Sequence, residues 1–282
     1  MTGDALAVRA PASSANLGAG FDVFGLALGL VAEVGDGDVP SRATPLADDH
    51  PVVRCHRAAG GEGPIWMRTD IPMARGLGFS GAARVAAIGL AQVRRDGVGA
   101  LADPSRRAEM IRIAVDEEGH GDNAAASIVG GAVAYVDGRI VSLPVGPVLG
   151  SAAVVAWVPD STVSPSSSRT TLSPTVDRSD AVHNLGRVAQ LVSAFAHDDP
   201  DLLAGATDDA LHQAARLPSI AGAGEALAAG VEAGAWCGWL SGSGPTVAFL
   251  VDPDLAGVVG AALPDAGHVK VLSIDVTGVA AV

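Results

Sequence analysis

The stretch Pro72-Met-Ala-Arg-Gly-Leu-Gly-Phe-Ser-Gly-Ala-Ala83 constrains this chain more than any other. It follows an extended segment, Pro64 to Ile71, and runs directly into Arg84-Val-Ala-Ala-Ile-Gly-Leu-Ala-Gln-Val93, which reads as an apolar helix. Gly76, Gly78 and Gly81 allow turns and close approaches that a Cβ blocks, and Ser80 is placed to cap the helix. The unpaired amides of a first helical turn, at the positive end of the helix dipole, suit a phosphate chain. Arg75 is placed to add a charge-assisted contact. A glycine-rich turn before a helix is also common punctuation, so the loop alone decides nothing. It is neither a Walker A loop nor a dinucleotide fingerprint, because it lacks Gly-Lys-Ser/Thr and its glycine spacing differs.

The 282 residues suffice for one large domain or two small ones with a proper core. A net charge of −13 argues against a nucleic-acid partner, which needs a basic surface. It does not argue against a nucleotide, which local amides, arginines and a metal ion can hold. Cys55 and Cys237 stand far apart without a CxxC or Cys/His cluster, so two buried free thiols are expected. No signal sequence starts the chain and no membrane-spanning stretch occurs in it, which points to a cytoplasmic protein.

Ahead of the central loop, Ala5–Ala10 alternates like a strand. Pro11-Ala-Ser-Ser-Ala-Asn-Leu-Gly-Ala-Gly-Phe-Asp22 follows, and then an apolar segment, Val23–Ala32, which reads as a second strand pairing back on the first. Asn16 and Asp22 fit either a ligand site or ordinary turn chemistry. His50–Ala59 reads as a helix, and so does Pro104–Val115, with Asp103 as its cap. Asp116-Glu-Glu-Gly-His-Gly-Asp-Asn123 is a polar cluster open to two readings, a metal site or solvated and capping acids. Gly130–Leu143 reads as a hairpin turning at Asp137-Gly138. Pro144–Pro147 is the candidate domain boundary, dividing residues 1–146 from 147–282. The second part begins with a buried strand, Ala152–Val158. A Ser/Thr/Pro-rich loop carrying Arg169 comes next, then helices over about 180–196 and 200–215. The rest reads as a helix near 222–233, the glycine-rich Leu240–Thr246, a strand at 247–251, a helix near 254–263 and a strand at 269–276. The mixture suggests an α+β architecture.

Pro11–Asp22, Pro72–Ala83 and Leu240-Ser-Gly-Ser-Gly-Pro-Thr-Val247 together, in this order and spacing, resemble the three motifs of the GHMP kinases. The first, with its Asn-Leu-Gly-x-Gly-Phe-Asp core, is most similar to the version in the homoserine kinases. Glu118-Gly-His-Gly-Asp-Asn123, Ala181-Val-His-Asn-Leu-Gly-Arg187 and Leu211-His-Gln-x-x-Arg216 resemble that family as well. The resemblance runs from about Val8 to Val251.

It implies a two-domain α+β GHMP-kinase fold, each half a sheet covered by helices, with the active site in the cleft between them. It implies transfer of phosphate from ATP to L-homoserine with Mg²⁺, on the way to threonine. Pro72, Arg75, Gly76, Leu77, Gly78, Phe79, Ser80, Gly81 and Ala82 would bind ATP. Ser80 and Asp116, with Glu117 as the alternative acid, would serve the metal. Asp22 and Asn16 would take the substrate ammonium, and Arg169 and Arg216 its carboxylate. His120 and Asn123 would lie beside the reacting hydroxyl. The resemblance implies no dedicated base, in keeping with a loose phosphoryl-transfer transition state. Homodimers are frequent among such kinases. Phe79 departs from the pattern, standing where a serine is usual. That departure keeps open an ATP-binding protein with weakened catalysis, beside a GHMP kinase for another alcohol such as mevalonate or pantoate.

Overall fold

The computed structural model describes residues 5–160 and 172–282. Strand β1 (Ala7–Ala15) pairs antiparallel with β2 (Phe24–Gly35) along its length, with a register shift between Pro11 and Ala12. β2 also pairs with β4 (Trp66–Thr69), which carries the two-residue β3 (Thr44–Pro45), and with β5 (Ala132–Val136) of a hairpin completed by β6 (Arg139–Ser142). The hairpin turns where expected. Asp137 and Gly138 both have positive φ, as a two-residue primed turn requires.

Helix α2 (Phe79–Asp96) is the axis of this half. From Gly81 to Val93 every residue except Arg84 is buried, and all but Arg84 and Gln92 are apolar, as befits a helix enclosed on every side. It packs on β1 and β2 and is flanked by α1 (Pro51–Ala58), α3 (Pro104–Glu118) and α4 (Asp122–Val129). Asp103 caps α3, accepting from the amides of Ser105 and Arg106.

The second sheet has the order β10 (Gly267–Ser273), β7 (Ala153–Pro159), β9 (Val247–Val251), β8 (Cys237–Leu240), all antiparallel. Its period of two divides its side chains between two cores. Val155, Trp157, Val247, Phe249 and Val251 pack under the helices at 223–232 and 256–262. Val154, Val158, Ala248 and Leu250 join the core of the first sheet, together with Leu191, Ala194 and Phe195 from the helix Arg178–His197. The architecture is α+β, two sheets covered by helices. Beyond Ser273 the chain returns to the first sheet. There β11 (Ala280–Ala281) pairs with β1, and Asp275 meets Arg9 at 3.5 Å.

Three local expectations are corrected. The continuous helix over 200–215 is a 3₁₀ turn at Pro200–Leu203, a loop and a short helix at Gln213–Arg216. Gly205 takes a positive φ, and Asp209 accepts from the amides of Leu211, His212 and Gln213, replacing helical bonds with a side-chain cap. The last long strand ends at Ser273 rather than Val276. Ser80 does not cap α2: Gly78, in the left-handed region, is the N-cap, and Ser80 lies inside the first turn. Both cysteines are free, and burial pushes the Cys55 thiol up to about 11 and the Cys237 thiol up to about 12.

Candidate active site

The three glycine-rich segments are bonded to one another. Trp239 Nε1 donates to Ser14 Oγ at 2.9 Å, Ser14 meets Ser241 Oγ at 2.7 Å, and Ser241 Oγ donates to the Gly76 carbonyl at 2.5 Å. Thr246 Oγ1 donates to the Arg75 carbonyl, and Asn16 Nδ2 to the Gly242 carbonyl at 2.8 Å. A relay in which each hydroxyl donates onward leaves every member satisfied, so it fixes loop geometry at little cost. The glycines are sterically required: a Cβ on Gly76 would run into the Ser241 carbonyl, and one on Gly78 into Ser13.

These loops surround a cavity of about 310 Å³. Lining it are Asn16 and Asp22, the loop from Pro72 through Arg75 to Ser80, then His120, Asn123 and Arg216. The first intrahelical bond of α2 runs from Ala82 to Gly78, so the amides of Phe79, Ser80 and Gly81 form its open first turn. Gly81 and Ala82 are buried, Gly81 against Asn123. Phe79 lines the cavity while its ring packs on the main core. The Arg75 side chain reaches the Pro159 carbonyl at 2.6 Å, tying the loop to the end of β7.

At the other end, Arg216 is 3% exposed. Its guanidinium lies 5.2 Å over the Phe21 ring and 3.2 Å from His212 Nδ1. His212 stacks on Phe21, and its Nε2 meets the Gly18 carbonyl at 3.0 Å. Those partners assign the tautomer: Nε2 carries the proton and Nδ1 accepts from Arg216. Burial pushes the imidazole below its ordinary value, against the opposing pull of Asp209. Asn16 proves to be a loop tie. Its Oδ1 accepts from the Asp22 amide at 3.0 Å while its Nδ2 holds Gly242. Asp122, buried, accepts from the Asn123 amide at 2.8 Å and meets His120 Nδ1 at 2.8 Å, so it orients both neighbours. Arg169 lies outside the described residues. Arg187 bonds Gln190 and Asp208.

The metal assignment of Asp116 is corrected. Asp116 is 67% exposed, pairs with Arg112 one turn back, and lines a separate small cavity beside Glu117, which pairs with Arg54. Of the three acids at the end of α3, the one that lines the main cavity is Glu118, the last residue of the helix, and its side chain is 14% exposed. Glu118 and Ser80 are both bonded to Arg84, the carboxylate at 3.1 Å. Ser80, expected to serve the metal, is thus held together with Glu118 by a guanidinium. Among the described residues no group of three or more His, Cys, Asp or Glu side chains could hold a metal. The residues present do not fit a ready-made metal seat.

Residues 180–269 match the family described as GHMP kinases C terminal. A homoserine kinase of Moorella thermoacetica is 42% identical over 265 residues, covering 85% of each chain. The chain belongs to the homoserine kinase family. A second homoserine kinase, of Desulfitobacterium hafniense, is 35% identical over 98% of this chain and 99% of that one. The likeness reaches the solved structures too. A homoserine kinase of Cytophaga hutchinsonii superposes with a TM-score of 0.84 over 100% of this chain and 98% of that one; at 24% identity it speaks for the fold. A putative homoserine kinase of Listeria monocytogenes has a TM-score of 0.76 at 27% identity, over 98% of this chain and 99% of that one. The α+β architecture that the resemblance implied is therefore the homoserine kinase family's own. Among the described residues no helix is long and apolar enough to cross a membrane.

Proposed function

We propose that this protein transfers the γ-phosphoryl group of ATP to the side-chain hydroxyl of L-homoserine, giving ADP and O-phospho-L-homoserine, a step towards threonine. One observation carries the reading: the glycine loop at the start of α2, Asp22 and Arg216 line a single cavity. An amino acid needs an anion for its ammonium and a cation for its carboxylate, and Asp22 and Arg216 are that pair. The nucleotide's phosphates lie on the open first turn of α2, where amides and helix dipole favour negative charge. Asn16 acts through Asp22, whose backbone it fixes.

His120 and Asn123, oriented by Asp122, flank the reacting hydroxyl. Their task is positioning. The loose transition state of phosphoryl transfer needs little proton abstraction early, so alignment and charge stabilisation suffice. Mg²⁺ enters this reading as a counter-ion of the nucleotide's phosphates, because Ser80 and Glu118 are engaged by Arg84. The division at 146/147, a cytoplasmic location and a homodimer belong to the same proposal, with β11 as the exchange of one strand back to the first sheet.

The test is a coupled ADP-release assay with ATP and Mg²⁺ over L-homoserine, L-threonine, mevalonate and pantoate. Turnover confined to L-homoserine is the expected result. Preference for mevalonate or pantoate, which lack an ammonium group, would keep the kinase and remove the role given to Asp22.

A further inference from the structure

Arg84 stands one turn into α2, four residues after Ser80, and is the one residue between Gly81 and Val93 that is not fully buried. Its side chain is 12% exposed, and that of its partner Glu118 14%. The guanidinium bonds Ser80 Oγ on its own helix and Glu118 Oε1, 3.1 Å away at the end of α3. Glu118 Oε2 and Arg84 Nε are both buried and without a hydrogen-bond partner. A carboxylate with one bonded and one orphaned oxygen, on the wall of an anion-binding cavity, is costly unless a cation stays beside it. Arg84 is that cation. Both contacts are made by one nitrogen of the guanidinium, Nη1.

We propose that Arg84 is a resident counter-cation of the phosphate site. It occupies the position between Ser80 and Glu118 that a divalent ion would need. The inference rests on the reading of the glycine loop as the seat of the nucleotide's phosphates. It has two consequences. The protein's own affinity for a divalent ion is low, because binding one there means displacing a bonded guanidinium. The phosphates meet a fixed positive charge behind the first turn of α2, so their binding depends little on a metal ligated by the protein.

The experiment uses the full chain in two arms. In the first, wild type, Arg84→Gln and the double variant Arg84→Gln/Glu118→Gln are titrated with Mn²⁺ alone, and free Mn²⁺ is read by electron paramagnetic resonance. Glutamine keeps a hydrogen-bonding partner for Ser80 and Glu118 but removes the charge. Arg84→Gln should bind Mn²⁺ about tenfold more tightly than wild type, as expected when a like charge leaves the site, and the double variant should lose that gain. Mn²⁺ affinity unchanged in Arg84→Gln would overturn the proposal.

In the second arm a non-hydrolysable ATP analogue is titrated calorimetrically into wild type in EDTA and in Mg²⁺. The two affinities should differ by less than about tenfold, whereas a larger gain from Mg²⁺ would overturn the proposal even if Arg84→Gln does not fold. An analogue that binds wild type under neither condition would refute the phosphate-loop reading, while the Mn²⁺ arm would still decide the role of Arg84.

Discussion

Arg216, at the amino-acid end of the cavity, is braced by an imidazole and an aromatic face, whereas Arg84, behind the phosphate loop, is bonded to a carboxylate and a hydroxyl. The first kind of brace orients a guanidinium without cancelling its charge. The second ties the guanidinium to an anion and a hydroxyl of the protein, so Arg84 stays fixed at the phosphate end. Both arginines are largely buried and both come from helices, yet their surroundings suit different tasks. The sign of what an arginine touches says more about its role than its exposure does.

The comparison is broken most forcefully at Arg216. Arg216→Ala should lower kcat/KM for L-homoserine on the order of a thousandfold, mostly through KM, because a buried fork to a carboxylate is lost. Arg216→Lys should recover only part of this, since an ammonium cannot reproduce the fork; full recovery in steady-state kinetics would reduce Arg216 to a simple charge. Asp22→Asn should raise KM for L-homoserine by roughly thirtyfold while leaving KM for ATP within about twofold, the size expected for one charge-assisted contact. A shift in both constants would place Asp22 at the nucleotide end.

At the phosphate end, Gly78→Ala forces a Cβ against Ser13 at a residue with φ of 64°. The left-handed conformation costs a non-glycine residue about 1–2 kcal/mol, so nucleotide affinity should fall by about tenfold, with a melting temperature a few degrees lower. Unaltered nucleotide binding in calorimetry would mean that this loop does not carry the phosphates.

The amino-acid end also predicts a pH dependence. Burial holds His212 below its ordinary value of 6.5, so the unfolded chain takes up a proton that the folded chain resists. The stability this group supplies is complete above 6.5 and is lost as pH falls from there through the lower value of the folded state. Asp209 moves in a separate window. Burial raises its carboxyl, but His212, the Asn184 amide and backbone amides together hold it below 3.8, so its contribution is lost only at lower pH. Between about pH 7 and pH 5 the fall in melting temperature should therefore be shallower in His212→Gln than in wild type. A slope that stays the same would show that His212 titrates alike in both states. The smallest effect belongs to Asp116. Asp116→Ala should leave turnover unchanged and stability within about 0.5 kcal/mol, as for exposed ion pairs elsewhere.

Much of this was legible in the sequence because local chemistry and tertiary contact agree there. The stretch at 72–83 had to be a turn into a helix, and its glycines stand where a Cβ would strike Ser241 or Ser13. Asp116 stands two residues before Glu118, the acid of α3 that lines the main cavity, and on a helix two residues turn a side chain by about 200°. The signal was available. Ile111, Ala114 and Glu118 fall on the buried face of α3, while Arg112 and Asp116 share the solvent face. Arg84 carried no such mark, because an arginine in an apolar helix shows its partner only when α3 is packed beside it. The region 200–215 reads as helical by composition, and the positive φ of Gly205 together with the convergence of three amides on Asp209 explains why it breaks.

The central claim is that one cavity binds the amino acid through Asp22 and Arg216 beside the nucleotide loop. Calorimetric titration of L-homoserine into protein saturated with a non-hydrolysable ATP analogue tests it most directly, in wild type, Asp22→Asn and Arg216→Ala. The account predicts one site per chain in wild type, with affinity lost by more than about tenfold in each variant. Equal affinity in all three proteins would contradict it.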